Sequence, residues 1–211
     1  MPIAMKIRRS GVYAGKIWHG TTKKNSRQLK VQKMRISVKI DGITFFSKIV
    51  DEKTFERASR RTIRRMGQRF RKRAAGEVMK TYNVRSKKLK KHIRAKTHET
   101  KKGTEYRFNV SGKRLSLVNF GARQTRKGVS VKVRKDRGRK LVNGAFLARG
   151  VMGNLQLFER VGAERLPIVS KKTISVPQMF NDEILEKAKK EVEANFEKEF
   201  KHNLYYYMGK L

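Results

Sequence analysis

Apolar side chains return every three or four positions through the middle of the chain. Phe55, Ala58, Thr62, Met66, Phe70, Ala74 and Val78 form one such stripe. Its 3.6-residue period predicts a single amphipathic helix from about Glu52 to Tyr82. Asp51 suits the N-cap, Glu52 and Glu56 the positive end of the helix dipole, and Asn83 the stop. A second stripe, Leu185, Ala188, Val192, Phe196, Phe200 and Leu204, predicts a helix from about Asn181 to Tyr205. Glu183/Lys187, Glu186/Lys190 and Glu197/Lys201 are i,i+4 pairs in the favourable order on that helix. Pro177 should fix the turn before it, and Tyr205, Tyr206 and Tyr207 are expected to join the core.

Elsewhere the period is two. Met34, Ile36, Val38 and Ile40 alternate with Arg35, Ser37 and Lys39, so a strand is expected over 34–40. Asp41-Gly42 is a turn dipeptide after which Ile43 to Val50 should pair back. Ser86 is expected to cap a short helix containing Leu89 and Ile93. Tyr106, Phe108 and Val110 alternate, as do Leu115 and Leu117, then Val129, Val131 and Val133. Further strands fit Leu141 to Arg149 and Leu155 to Val161, with glycines at 103, 112, 128, 138 and 153 marking turns. Ahead of all this, Gly11, Gly15 and Gly20 break any periodicity, so residues 1–36 read as an extended basic arm. Lys6, Arg8, Arg9, Trp18, Lys23, Lys24 and Arg27 are the candidate arm contacts to a partner. The pattern therefore predicts an α+β fold: a long basic helix and a C-terminal helix packed on an antiparallel β-sheet. Residues 37–211 form its single domain.

Charge changes the picture most. The 211 residues include 55 Lys or Arg and 17 Asp or Glu, a formal net charge of +38. The excess is uneven. Residues 1–180 hold 49 basic and 10 acidic residues, residues 181–211 hold 6 and 7. A chain so charged needs an anionic neighbour: nucleic acid, an anionic membrane surface or an acidic protein. Two clusters are the candidate sites for DNA or an acidic partner. The first, Arg60, Arg61, Arg64, Arg65, Arg69, Arg71, Lys72 and Arg73, lies on the long helix, where like charges at i,i+4 repel. The second, Arg123, Arg126, Lys127, Arg134, Lys135, Arg137, Arg139 and Lys140, lies in a stretch, 122–140, with nine basic residues and one Asp. Backbone phosphate contact suits both, because no aromatic side chains are interleaved for base stacking.

Catalytic chemistry finds little footing. There is no Cys, and His19, His92, His98 and His202 are dispersed without metal-ligand spacing. Several acids are accounted for by helix capping, and no carboxylate cluster, Walker loop, dinucleotide fingerprint or nucleophile elbow occurs. No enzyme activity, metal or cofactor is expected. No stretch of about 18 apolar residues suggests a membrane span, and the N-terminus lacks the apolar run of a secretory signal.

An ordered series of segments carries a family resemblance. "RASRRTIRRMGQRFRKRAAGEV" leads into "YNVRSKKLKKHIRAK", then "RLSLVNFGARQTRKGVSVKV" and the basic turn "RKDRGRK". "VNGAFLA", "LQLFERVGAERLPI" and "SVPQMF" follow and lead into the final helix. Over residues 43–182 this order resembles the minor tail protein Z, or tail completion, family of long-tailed bacteriophages. The resemblance does not extend to the arm. It implies a virion structural protein, made in the host cytoplasm, that completes the head-proximal end of the tail and helps it join the head. It implies other tail and neck proteins as partners, packaged genomic DNA nearby, no catalysis, and a homo-oligomeric ring of about six copies. A free-standing, sequence-nonspecific nucleic-acid-binding protein shares the charge and remains the alternative. A membrane-surface binder fits less well, because the stripe from Phe55 to Val78 contains Ala and Thr where bulky anchors belong.

Overall fold

In a computed structural model, the structure describes residues 5–8, 34–38, 50–100 and 103–209. Helix α1 spans Glu52–Thr81. The Asp51 carboxylate accepts from the Thr54 N–H at 3.2 Å and fixes its start. Its end comes at Tyr82, whose backbone is extended, and the Asn83 N–H donates to the Val133 carbonyl at 2.9 Å. Every member of the expected stripe, from Phe55 to Val78, is buried. The C-terminal helix, α4, spans Asp182–Met208 and starts at Asn181, whose side chain accepts from the Ile184 N–H at 3.1 Å. Its stripe from Leu185 to Leu204 is also buried.

The two helices run antiparallel. Thr62 meets Asn203, Arg65 meets Glu199, and Arg73 meets Glu191. Phe55 packs edge-on against Phe200, ring centroids 5.7 Å apart. Asn203 Nδ2 donates to Thr62 Oγ1 at 2.9 Å, and Thr62 Oγ1 donates to the Ala58 carbonyl at 2.8 Å. Both side chains are fully buried. Losing either partner would strand a polar group in the core, so the pair fixes the register of the helices.

The helices lie on an antiparallel sheet of order β1-β2-β4-β3. Its strands are β1 (Met5–Arg8), β2 (Met34–Val38), β3 (Ile93–Thr100) and β4 (Gly103–Val110). Tyr106, Phe108 and Val110 of β4 are buried toward the helices. Phe108 sits edge-on between Phe70 (5.5 Å) and Phe180 (5.7 Å). A Cβ at Gly67 would lie 2.2 Å from Cγ of Tyr106, so the absence of a side chain there sets the close approach of α1 to β4.

The strand expected over 34–40 is present in its described part, pairing with β1 on one side and β4 on the other. The Asp41-Gly42 turn and, apart from Val50, the return strand lie outside the described residues. Of the arm contacts, Lys6 and Arg8 fall in β1, opposite Ser37 and Arg35. Arg9, Trp18, Lys23, Lys24 and Arg27 lie outside the described residues.

A second lobe follows. It contains β5 (Arg114–Ser116), a 3₁₀ turn (Leu117–Phe120), β6 (Arg123–Thr125), β7 (Gly128–Val131), β8 (Lys140–Asn143) and β9 (Ala145–Arg149). Then come β10 (Leu155–Arg160), β11 (Ile168–Ser170) and β12 (Lys172–Ser175). Sheets β6-β7-β8 and β11-β10-β9 surround a small core of Val129, Val131, Ala145 and Leu157, whereas β12-β5 packs Leu115 and Ile174 against the main core. Helix α3 (Val176–Met179) makes one turn before α4. Pro177 stands in its first turn, where a missing N–H costs nothing.

Several expectations need correction. The strand expected over 141–149 is two strands in different sheets, because Gly144 at φ +67° turns the chain between them. Ser86 is the first residue of α2 (Ser86–Lys90), with Arg85 at the cap, and β-branched Ile93 opens β3 instead of ending that helix. Leu117 belongs to the 3₁₀ turn. Glu186 lies 3.8 Å from Lys189, whereas Glu183–Lys187 and Glu197–Lys201 form as expected at 2.7 Å. Tyr205 and Tyr206 are not core. They are exposed because successive residues turn off the stripe, and only half-buried Tyr207 packs against the core.

Candidate partner-binding surfaces

The arginines of α1 divide by flank. On the flank toward α4, Arg65 Nη1 lies 2.7 Å and Arg69 Nη2 3.2 Å from the Glu199 carboxylate. Arg73 Nε lies 2.7 Å from Glu191 and 3.4 Å from Glu77. Glu199 is only 8% exposed. A carboxylate that far from water depends on its cations, so Arg65 and Arg69 belong to the fold. Glu77 is similarly buried. Its hydrogen bond from Lys80, helped by the charges of Lys80 and Arg73 and opposed by burial, holds its carboxyl below the usual glutamate range.

The other flank is open. Arg57, Arg60, Arg61, Arg64 and Gln68, with Arg65 at the boundary between the two flanks, face Lys96, Thr97 and Glu99 of β3 and Tyr207 of α4 across a groove of about 1020 Å³. Arg60 reaches Glu99 at 3.3 Å, an exposed pair of small energetic weight. The Arg61 guanidinium lies over the Tyr206 ring, 4.5 Å from its centroid, and 5.9 Å from that of Tyr207. Hydrogen bonds involving Tyr207 and Tyr206 raise its already high pKa. Arg57, Arg64 and Lys96 make no ion pair among the described residues. Half-buried Arg71 and exposed Lys72 do not line the groove. Burial of Tyr106 pushes its phenol up, and the nearby Arg71 charge pulls it partly back.

The second cluster divides too. Arg134 grips Asp136, Nε to Oδ1 at 2.9 Å and Nη2 to Oδ2 at 2.8 Å, and lies 5.7 Å from the Tyr82 ring centroid. That hydrogen bond is the main reason the Asp136 carboxyl sits below its ordinary range. Arg139 Nε donates to Ser130 Oγ at 2.8 Å, and Nη2 donates to the carbonyls of Ser130 (2.7 Å) and Gly121 (2.6 Å). Both arginines brace the loop from β7 to β8. Arg123, Arg126, Lys127, Lys135, Arg137 and Lys140 are exposed and make no ion pair among the described residues. Arg126-Lys127 is the two-residue turn between paired Thr125 and Gly128. A Cβ at Gly128 would lie 2.1 Å from the Val142 carbonyl oxygen, so this residue lets the hairpin close against β8.

The sequence singles out Arg60, Arg61, Arg64 and Arg65 but not their groove partners. Arg57 could have been added as the i−4 neighbour of Arg61. Lys96, Thr97 and Glu99 sit on a strand whose polar sequence carries no clear alternation. Among the described residues, no group of three or more His, Asp or Glu converges as a metal ion would require. No helix of the described residues is long and apolar enough to cross a membrane.

Fold and charge thus define a strongly basic α+β protein that shows its surplus cations in one groove and on a set of sheet turns. The chain belongs to the family described as prophage minor tail protein Z (GPZ), which it matches over residues 41–210. It is a structural protein of a bacteriophage tail. The match takes in both long helices and every strand from β3 to β12. The chain matches no curated protein and no solved structure.

Proposed function

We propose that this tail protein completes the head-proximal end of the tail and supports head–tail joining near the leading end of the genome. Its role is structural, not catalytic. It acts as a homo-oligomeric ring, of six copies in this reading, with residues 1–36 as a basic arm that is anchored to the sheet through β1 and the start of β2 and offers its other cations to neighbouring tail and neck proteins. The observation that carries the DNA-facing part is a set of six cations on the turns and strand starts of the second lobe that make no ion pair among the described residues: Arg123, Arg126, Lys127, Lys135, Arg137 and Lys140. The α1 residues Arg65, Arg69 and Arg73 are already matched by the protein's own acids. A two-stranded ribbon with a basic tip also suits the major groove of duplex DNA, about 12 Å wide.

The test replaces those six residues with Gln in the phage. Particles should assemble with normal tails, and infectivity should fall at least tenfold because DNA is delivered poorly. Wild-type infectivity from such particles would sink the DNA-facing assignment.

A further inference from the structure

Among the described residues, Glu99 is the one acid lining the groove beside α1, far less counter-charge than the opposite flank of the same helix possesses. On that opposite flank, Arg65 and Arg73 meet Glu199 and Glu191, both at 2.7 Å. Each pair of positions is eight residues apart, so two antiparallel helices match carboxylates to guanidiniums turn by turn. On the groove side, Arg57, Arg61 and Arg64 follow one another at i+4 and i+3, which sets neighbours about 5–6 Å apart. Lys96 faces them from β3. The pattern is the same and, among the described residues, no acidic helix lies against it.

We propose that this groove docks an acidic helical segment of another tail protein, with carboxylates spaced at i, i+3 or i+4. This rests on the reading of the chain as a tail structural protein and adds the chemistry of one partner. Three observations select that occupant. A second copy of this chain is a poor one. Among the described acidic residues only Glu52, Glu56 and Glu164 lack a bonded partner, and Glu52 and Glu56 make a single i,i+4 pair on α1, too few to match Arg57, Arg61 and Arg64. A single DNA strand would need exposed aromatic faces to stack on. Tyr207 is half-buried, and the Tyr206 face is covered by Arg61. The Arg60–Glu99 pair, at 3.3 Å, shows a carboxylate already accepted at the groove wall.

The experiment is fluorescence anisotropy with the full-length protein and a fluorescein-labelled, alanine-based helical peptide bearing Glu at every third or fourth position. Arg57→Gln/Arg64→Gln/Lys96→Gln should weaken binding at least tenfold. Arg123→Gln/Arg126→Gln/Lys127→Gln removes the same charge elsewhere and should change it less than twofold. The replaced groove residues make no ion pair, so the fold should survive. A charge swap guards against a folding artefact: Arg57→Glu/Arg64→Glu should gain affinity for the same peptide with Lys in place of Glu. Equal losses from the two triple variants would overturn the proposal in favour of bulk charge. So would a twelve-residue oligothymidine that displaces the peptide at lower concentration and is itself lost only in the groove variant. Failure here leaves the infectivity test intact, because that test alters different residues.

Discussion

The helical layer and the turn-rich second lobe carry similar densities of Lys and Arg but dispose of them differently. In the helical layer, α1 and α4 bury a continuous apolar seam, and three α1 arginines are matched by acids of the same two helices. In the second lobe, four buried residues form the core and only Arg134 and Arg139 of the basic cluster are tied down. The lesson is that a basic residue's sequence position says little about its availability. What decides is whether the fold brings an acid or a carbonyl to it. The charge-balanced segment 181–211 supplies the acids for α1, and among the described residues nothing comparable faces the turns.

The largest effects should come from the two cores. Phe108→Ala removes a ring held between Phe70 and Phe180 and should cost about 3–5 kcal/mol in chemical denaturation, unfolding the whole chain. Leu157→Ala in the small core should cost about 2–5 kcal/mol but act locally. Hydrogen exchange should then show β7, β9 and β10 opening while α1 and α4 stay protected. Global exchange from Leu157→Ala would break the comparison by making the lobe part of one cooperative unit.

Next in size is a pair of glycines on α1. Gly67→Ala forces a methyl into the Tyr106 ring and should cost about 1–3 kcal/mol. Gly76 has nothing within 4 Å of a built Cβ, so Gly76→Ala should stabilise by about 0.5–1 kcal/mol. Melting temperatures moving in the same direction would show that the helix–sheet spacing is not set at Gly67.

The smallest effect is acid sensitivity. Lys80 and Arg73 depress the Glu77 carboxyl in the folded protein, so the folded state binds its proton less readily than the unfolded chain does. That contribution is complete above about pH 4.3, the ordinary glutamate value, and drains away as pH falls through the lower folded value. Glu77→Gln should flatten part of the acid limb of stability. Asp136, Glu183 and Glu197 are depressed as well, mainly by Arg134, Lys187 and Lys201, but they are exposed and should add less. An unchanged limb would remove the Lys80–Glu77–Arg73 group from the account.

Much of this architecture was legible because long-range packing follows periodicity. The stripes of α1 and α4 name their buried faces, and Asp51 and Asn181 mark their starts. Legibility failed where structure comes from pairing. The β3 sequence is polar because an edge strand takes its order from the neighbouring β4. Gly144 divides one apolar run between two sheets, and no period shows that. The candidate cations were legible as two clusters, but their division was not. Arg65 and Arg69 look like Arg57 and Arg64 until α4 brings Glu199 against one flank. Arg139 looks like Arg137 until Ser130 and Gly121 present their carbonyls.

The central claim is that the turn cations, not the α4-facing arginines of α1, are free to meet DNA. The direct measurement is the salt dependence of duplex DNA binding by the full-length protein. The variant with Gln at positions 123, 126, 127, 135, 137 and 140 should lose up to about 5 from the slope of log K against log salt, near 0.9 per phosphate contact. The variant with Gln at 65, 69 and 73 should keep the wild-type slope and melt at a lower temperature. Equal loss of slope per charge removed in the two variants would contradict the account.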